Sequence, residues 1–288
     1  MKRLYPVLII IILLTGLKFA SYYSGFYTPT KREGFQLGNF TLPALEAASY
    51  EDVYNKTTGG VALFDLAHEN NYDPDELNVL LTRVVARNYT VKYLRDKDEM
   101  NKTLRGASTF IVTAPKKQYT EEEITLVEDF VRENGTLLLL DDPSRESKIN
   151  LLSLRLGIVF NRDYLYNLAI NDGNYRYVFF TDFKESNITI GLSKVALYVA
   201  ESITGDGLLL SDTNTYSSLE TEDTFSPVVT KDRILAIGDI TFFLPHYNAA
   251  YDNKRFISNI ADFITSSSRV IPLEEEEEEE KSEGNETA

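Results

Sequence analysis

The chemistry open to this chain rests on two histidines and on acidic residues that close apolar runs. Asp65 ends the run "VALF" and His68 follows three positions later. Asp141 and Asp142 end "TLLLL", and Asp239 ends "ILAIG" with His246 seven positions beyond. A carboxylate that orients an imidazole is a recurring general-base unit, and two histidines with carboxylates can hold a divalent cation. Neither unit is complete here. The chain has no cysteine, Ser144 lacks the Gly-x-Ser-x-Gly elbow that exposes a serine nucleophile, and no H-E-x-x-H pair sits on a helix face. The expectation is a candidate ligand rim of Asp65, His68, Asp141, Asp142, Asp239 and His246, with no catalytic residue, metal or cofactor assigned. Asp65-x-x-His68 reads as a structural corner, its polar groups meeting backbone freed at a strand end, and His68 is expected to lie apart from His246.

A rim needs strands that end along one edge. "VALFDL" (61–66), "YTVKYL" (89–94), "STFIVTA" (108–114) and "TLLLLDDP" (136–143) read as four strands. Between them Asp73, Pro74 and Glu76 open one helix in a capping-box arrangement. A short polar helix follows around 97–104. Thr120 and Glu123 open a further helix, which Asn134-Gly135 closes in the left-handed manner. Strand and helix alternating at this spacing give right-handed crossovers and a parallel sheet covered on both faces. After residue 157 the rhythm changes. "YRYVFFTDF", "ITIGL", "VALYVA" and "GLLLS" are strand-like with no helix between them, an antiparallel elaboration over 158–232. "RILAIGDI" (233–240) then returns to the sheet, and a helix over 253–266 closes the domain. Open α/β sheets place ligands at the carboxyl ends of their strands, where all six candidates would fall.

Composition narrows the function classes. The formal net charge is −15, but residues 274–288 carry nine Glu and one Lys, which leaves about −7 for the rest. A mildly acidic body with no basic stripe argues against nucleic acid as a partner. Absent cysteine and scarce Met and Gln suit a thermophile. Lys2 and Arg3 precede an uncharged run from Leu4 to Leu17, and Lys18 and the tyrosines beyond it extend the segment to residue 23. This reads as an uncleaved signal anchor, with a cleaved signal peptide as the alternative. The positive-inside rule then places residues 24–288 outside the cytoplasm. The chain divides into the membrane segment (1–23), a stalk (24–58), one domain (59–268) and a disordered acidic tail (269–288). Glycosylation sequons stand at Asn39, Asn55, Asn88, Asn101, Asn187 and Asn285; a seventh, Asn134, falls at a helix end beside a buried strand.

Four stretches, "VALFDLAHENNYDPDELNVLLTRV", "ASTFIVTAPKKQYTEEEITLVEDFVRENGTLLLLDDP", "LSKVALYVAESI" and "RILAIGDITFFLPHYNAAYDNKRFISNIADFI", together resemble a family of membrane-anchored proteins with a class I glutamine-amidotransferase-like domain. That family's relatives look like GldG-type auxiliary subunits of ABC transporters and the GIFT domain of intraflagellar transport. The resemblance implies an α/β, flavodoxin-like parallel sheet from a lineage that mostly lost glutaminase activity. Active relatives carry a nucleophilic Cys on the turn after a buried strand; the equivalent turn here holds Asp141, Asp142 and Pro143. The expected function is a non-catalytic extracytoplasmic binding or scaffold domain for a protein partner in a membrane complex, of the ABC-transport or AAA+ ATPase-linked kind. The alternatives are a surface hydrolase using Asp65, His68 and rim carboxylates, and a solute- or glycan-binding module.

Overall fold

In the computed structural model, which describes residues 5–23, 52, 54, 57–267 and 269 apart from 172, 220, 222 and 223, the chain divides into two compact units, Met1–Ala44 and Leu45–Ala288. The first holds helix α1 (Tyr5–Tyr23). The expected span is thus helical, yet among the described residues no helix is long and apolar enough to cross a membrane. The uncharged run has a physical limit: fourteen residues rise only about 21 Å, against a hydrocarbon core of about 30 Å. Most of the expected stalk, nearly all of the acidic tail, and the sequons at Asn39, Asn55 and Asn285 lie outside the described residues.

The second unit opens with β1 (Gly60–Asp65). Asp73 caps a 3-10 turn over Pro74–Leu77, its carboxylate accepting the Asp75 N–H while Glu76 reaches back to the Asp73 N–H. The turn runs on into α2 (Asn78–Ala86). Then come β2 (Tyr89–Leu94), α3 (Met100–Arg105), β3 (Thr109–Thr113), α4 (Glu121–Arg132), β4 (Thr136–Leu140) and α5 (Asn150–Arg155). Helix α4 shows why local sequence suffices here. Thr120 and Glu123 form a full capping box, three Glu in the first turn favour the positive end of the helix dipole, and Ile124, Val127 and Phe130 bury one face. Each such side chain contributes about 1.5–3 kcal/mol. At its end the Gly135 N–H bonds the Phe130 carbonyl and the Asn134 N–H that of Val131, a Schellman closure. The left-handed residue is Asn134 (φ +66°), not Gly135. Gly135 is needed for space, since a Cβ there would lie 2.4 Å from the Phe130 ring.

The elaboration contributes short strands β5 (Val159–Phe160), β6 (Leu165–Asn167), β7 (Tyr177–Phe180), β8 (Asp182–Phe183), β9 (Val195–Tyr198), β10 (Ile203–Thr204), β11 (Asp206–Gly207), β12 (Leu209–Leu210) and β13 (Thr215–Ser217). Four antiparallel pairs form within it: β5 with β10, β6 with β13, β7 with β9, and β8 with β12. "ITIGL" is not a strand. The Thr189 hydroxyl donates to the Lys184 carbonyl and accepts the Ser186 N–H, which winds residues 186–189 into a turn. A hairpin that the periodicity did not announce, β14 (Val228–Lys231) and β15 (Ile234–Ile237), turns through Asp232 at φ +52°. Helices α6 (Pro245–Asn248) and α7 (Asn253–Ile264) complete the chain.

Strand order in the main sheet is β11-β14-β15-β4-β3-β1-β2. The run from β15 to β2 is parallel, and β14 and β11 add antiparallel at one edge. Read from the other edge, the parallel strands follow the flavodoxin-like order 2-1-3-4-5. Alternate residues serve opposite faces. Phe64, Ile111, Leu138 and Leu235 pack on α2, α7 and the buried residues of β7 and β9. Leu63, Phe110, Leu139 and Ala236 pack on α3, α4 and α5. The elaboration therefore shares a core with the sheet. Arg87, fully buried after α2, binds Asp262 at 2.6 Å, Asp52 at 3.1 Å and the Ser258 hydroxyl at 2.8 Å, and so ties the entering chain to α7.

Candidate functional site

Strand order reverses direction at β1, so the crevice beyond the carboxyl ends of β1 and β3 is where a sheet of this kind takes a ligand. The chain fills that crevice with its own loop. After Asp65 the backbone folds across the end of β3. The Asn70 amide donates to the Thr113 carbonyl (2.8 Å), the Asn71 N–H to that of Ala114 (2.8 Å), and the Lys117 N–H to that of His68 (2.9 Å). Ala114 turns β3 out of the sheet at φ +38°. Such strained backbone persists only when its surroundings hold it there, and the bonds from Asn70 and Asn71 do so.

Within this plug Asp65 and His68 are each 0 % exposed. Nδ1 of His68 donates to the Asp65 carboxylate, 3.0 Å from either oxygen. The same carboxylate accepts the Tyr119 hydroxyl (2.6 Å), the Asn70 amide (3.2 Å) and the Ala67 N–H (3.0 Å). The Tyr119 ring stacks on His68 with centroids 3.7 Å apart. Burial, with the Asp65 charge beside it, pushes the Tyr119 phenol well above its ordinary pKa, so it stays a donor. On the far side His68 Nε2 lies 3.5 Å from Glu123. Burial works to raise the Glu123 carboxyl, but the Thr120 N–H and neighbouring His68 outweigh it and hold the group below the usual range. Asp65, His68 and Glu123 thus form a buried acid–imidazole–acid line. Among the described residues no serine or threonine hydroxyl bonds to the ring, and neither nitrogen of His68 reaches solvent.

The other rim carboxylates gather at the ends of β4 and β15. Asp142 accepts the Ser144 N–H (2.9 Å) and the Thr241 hydroxyl (3.1 Å). Asp239 accepts the N–H groups of Tyr198 (2.8 Å) and Phe242 (3.3 Å); burial, and then the Asp142 charge, raise its carboxyl well above the ordinary value. Asp141 receives the Arg162 guanidinium at 2.8 Å, and burial still pushes it up to about 6. Glu201, which follows β9 and donates its N–H to the Gly238 carbonyl, accepts the Arg162 N–H at 2.9 Å with its carboxyl. Burial and the Asp141 charge lift Glu201 well above its ordinary value. One oxygen of Asp141 and one of Glu201 are buried without a hydrogen-bond partner among the described residues. Two charges there would cost more than one guanidinium returns, so burial opposes ionising both acids together. Arg162 spans both acids from a left-handed backbone, φ +56°.

The structure therefore divides the expected rim. Asp65 and His68 form one cluster; Asp141, Asp142 and Asp239 form another. His246 is exposed on α6 and joins neither, and among the described residues no group of three or more His, Asp or Glu side chains could hold a metal ion. Tyr119, Glu201 and Arg162 were not among the sequence candidates. Glu201 carried the one usable signal, an acid closing the apolar run "VALYVA". Of the sequons, Asn88, Asn101 and Asn187 are exposed, and so is Asn134.

Several solved structures are similar to this chain. The N-terminal domain of mmIFT52 superposes with a TM-score of 0.59 at 14% identity, covering 72% of this chain and 98% of that one. A putative ThuA-like protein from Bacteroides uniformis gives a TM-score of 0.47 at 12% identity, over 75% of this chain and 96% of that one. The glutaminase domain of Trypanosoma brucei CTPS gives 0.34 at 11%, over 74% and 96%. At these identities the first likeness speaks for the fold alone. No curated protein matches the chain. The DUF4350 profile, a domain of unknown function, matches residues 69–261, from the loop that plugs the crevice to the last helix, and the chain belongs to that family.

Proposed function

We propose that this protein is a non-catalytic, membrane-anchored binding or scaffold domain that serves a protein partner outside the cytoplasm. One observation carries the reading: the crevice at the strand-order reversal is occupied by the chain's own 66–71 loop, with His68 sealed between Asp65 and Glu123. A hydrolase at this position would need an open pocket with a nucleophile or activated water within about 3 Å of the base. The turn after β4 offers Asp141 and Asp142 in place of a nucleophile, both buried, the first held by Arg162 and the second by Ser144 and Thr241. The class I amidotransferase-like lineage, with its GldG-type and GIFT relatives, accords with a domain that kept its fold and lost its chemistry. Anchoring is supported by the Lys2-Arg3 pair and by an uncharged run that a snorkelling Lys18 and the tyrosines beyond it extend to residue 23, and glycans on Asn88, Asn101 and Asn187 would then face solvent.

The test joins membranes to turnover. In native membranes the chain should resist carbonate extraction and migrate with a partner on blue-native gels. The purified full chain should turn over no ester, phosphoester, peptide or glycoside substrate above background. Turnover that His68→Gln abolishes while leaving the melting temperature unchanged would replace this reading with the hydrolase.

A further inference from the structure

The outward face of the β6–β13 ribbon is apolar and uncharged. Tyr166 and Tyr216 are cross-strand partners with ring centres 5.7 Å apart, and Tyr175 lies 6.3 Å from Tyr166. Leu168, just past β6, borders with Tyr166 and Tyr216 an open depression of about 440 Å³. Leu168 is 67% exposed, Ile170 52%, Tyr216 49% and Tyr175 42%. Single exposed apolar residues need no explanation, but a contiguous group does.

This display is built rather than incidental. Asn167 is buried, and its side-chain oxygen accepts the N–H groups of Ala169 (3.0 Å) and Ile170 (2.8 Å). Its amide donates to Asp212 (2.9 Å) and to the Thr215 hydroxyl (3.2 Å), and its carbonyl receives the Asn171 amide (3.0 Å). A buried, fully bonded asparagine thus holds Leu168-Ala169-Ile170 out toward solvent.

Resting on the anchored reading above, we infer that this tip docks on a zwitterionic lipid surface. Leu168 and Ile170 enter the interface while Tyr166, Tyr175 and Tyr216 sit at headgroup depth. Aliphatic groups at the tip and amphipathic rings behind them follow the depth order of a bilayer interface. Arg176, stacked on Tyr175 at 5.4 Å, supplies a cation at phosphate level. No formal charge occurs within 164–171 or 213–219. Asp172, Glu220, Glu222 and Asp223 follow these stretches in sequence, and they disfavour an anionic surface. A second copy is disfavoured by like charge, about −7 on each chain even without the acidic tail. Residues 24–56, even fully extended, reach at most about 120 Å, which sets the limit on how far an anchor lets the domain go.

The chain contains no tryptophan, so one introduced indole reports its own surroundings. Full-length Leu168→Trp and, separately, Leu13→Trp are reconstituted into phosphatidylcholine vesicles with and without brominated acyl chains. Emission of the Leu168→Trp protein should shift to the blue and be quenched by bromine. Ile170→Ser in the same background should reduce the shift, and phosphatidylglycerol vesicles should weaken it. Quenching in the Leu13→Trp protein without any change in the Leu168→Trp protein keeps the anchor and overturns the docking. Quenching in the Leu168→Trp protein alone keeps the docking and overturns the anchor, and quenching in neither overturns both. A blue shift of the Leu168→Trp protein that needs no vesicles and grows with protein concentration assigns the face to a second copy and overturns the proposal.

Discussion

Replacing Glu201 by glutamine should flatten the dependence of stability on pH. Asp141 and Glu201 are buried together against Arg162, whose guanidinium binds Asp141 and whose backbone N–H donates to Glu201. Burial pushes Asp141 from 3.8 up to about 6, and burial with the Asp141 charge lifts Glu201 in the same direction. In the unfolded chain both carboxyls ionise near pH 4. Between about pH 4 and pH 6 the folded protein therefore holds protons that the unfolded chain has released, and stability falls as pH rises. For Asp141 a shift of about 2 units amounts to about 3 kcal/mol lost by neutral pH, and Glu201 adds to the loss. A glutamine at 201 is neutral at every pH. It keeps an oxygen for the Arg162 N–H and leaves an ionised Asp141 with no second charge beside it. Wild type and Glu201→Gln should be equally stable near pH 4.5, and the variant more stable by about 1–3 kcal/mol at pH 8. Urea unfolding followed by far-UV circular dichroism, at half-unit steps of pH, reads the difference, with the m-value as a check on the denatured state. Parallel profiles for the two proteins, or a deficit in the variant at pH 8, would mean that Glu201 is ionised and well paired, and the reasoning would fail.

Asp65→Ala strips His68, Tyr119 and Asn70 of a shared acceptor inside the plug and should cost about 3–5 kcal/mol; a loss under about 1 kcal/mol in urea would show the corner is not structural. Gly135→Ala drives a methyl into the Phe130 ring and should cost about 1–3 kcal/mol, read from the same midpoints, whereas Asn134→Gly should be tolerated because the left-handed backbone is kept. Arg87→Met leaves Asp52 and Asp262 without their buried partner. It should release the chain ahead of β1, seen as faster amide exchange at residues 57–60 than in wild type.

The sequence by itself determined the elements whose signals are local. Thr120 and Glu123 cap α4 because the two residues need only each other. Likewise the runs ending at Asp65 and Leu140 are apolar at nearly every position because both faces of a central parallel strand are covered. The three-residue spacing of Asp65 and His68 permits a direct contact, but it equally permits a corner in which each meets freed backbone. Elements without local signals were not legible. "ITIGL" has strand composition, but the Thr189 hydroxyl found the Lys184 carbonyl and Ser186 N–H first. Strand β14 forms because β15 lies beside it, and β-propensity reflects such neighbours more than backbone preference. The same holds for the site. Tyr119 meets Asp65 across 54 residues of chain and Arg162 meets Asp141 across 21, while the plugging of the crevice depends on where β3 ends relative to the loop after β1. Whether a carboxylate is charged, paired or sealed from water is set by desolvation and by neighbours that arrive through the fold. Tertiary structure alone decided that Asp65 and His68 face each other in a closed corner, and that His246 stands elsewhere in solvent.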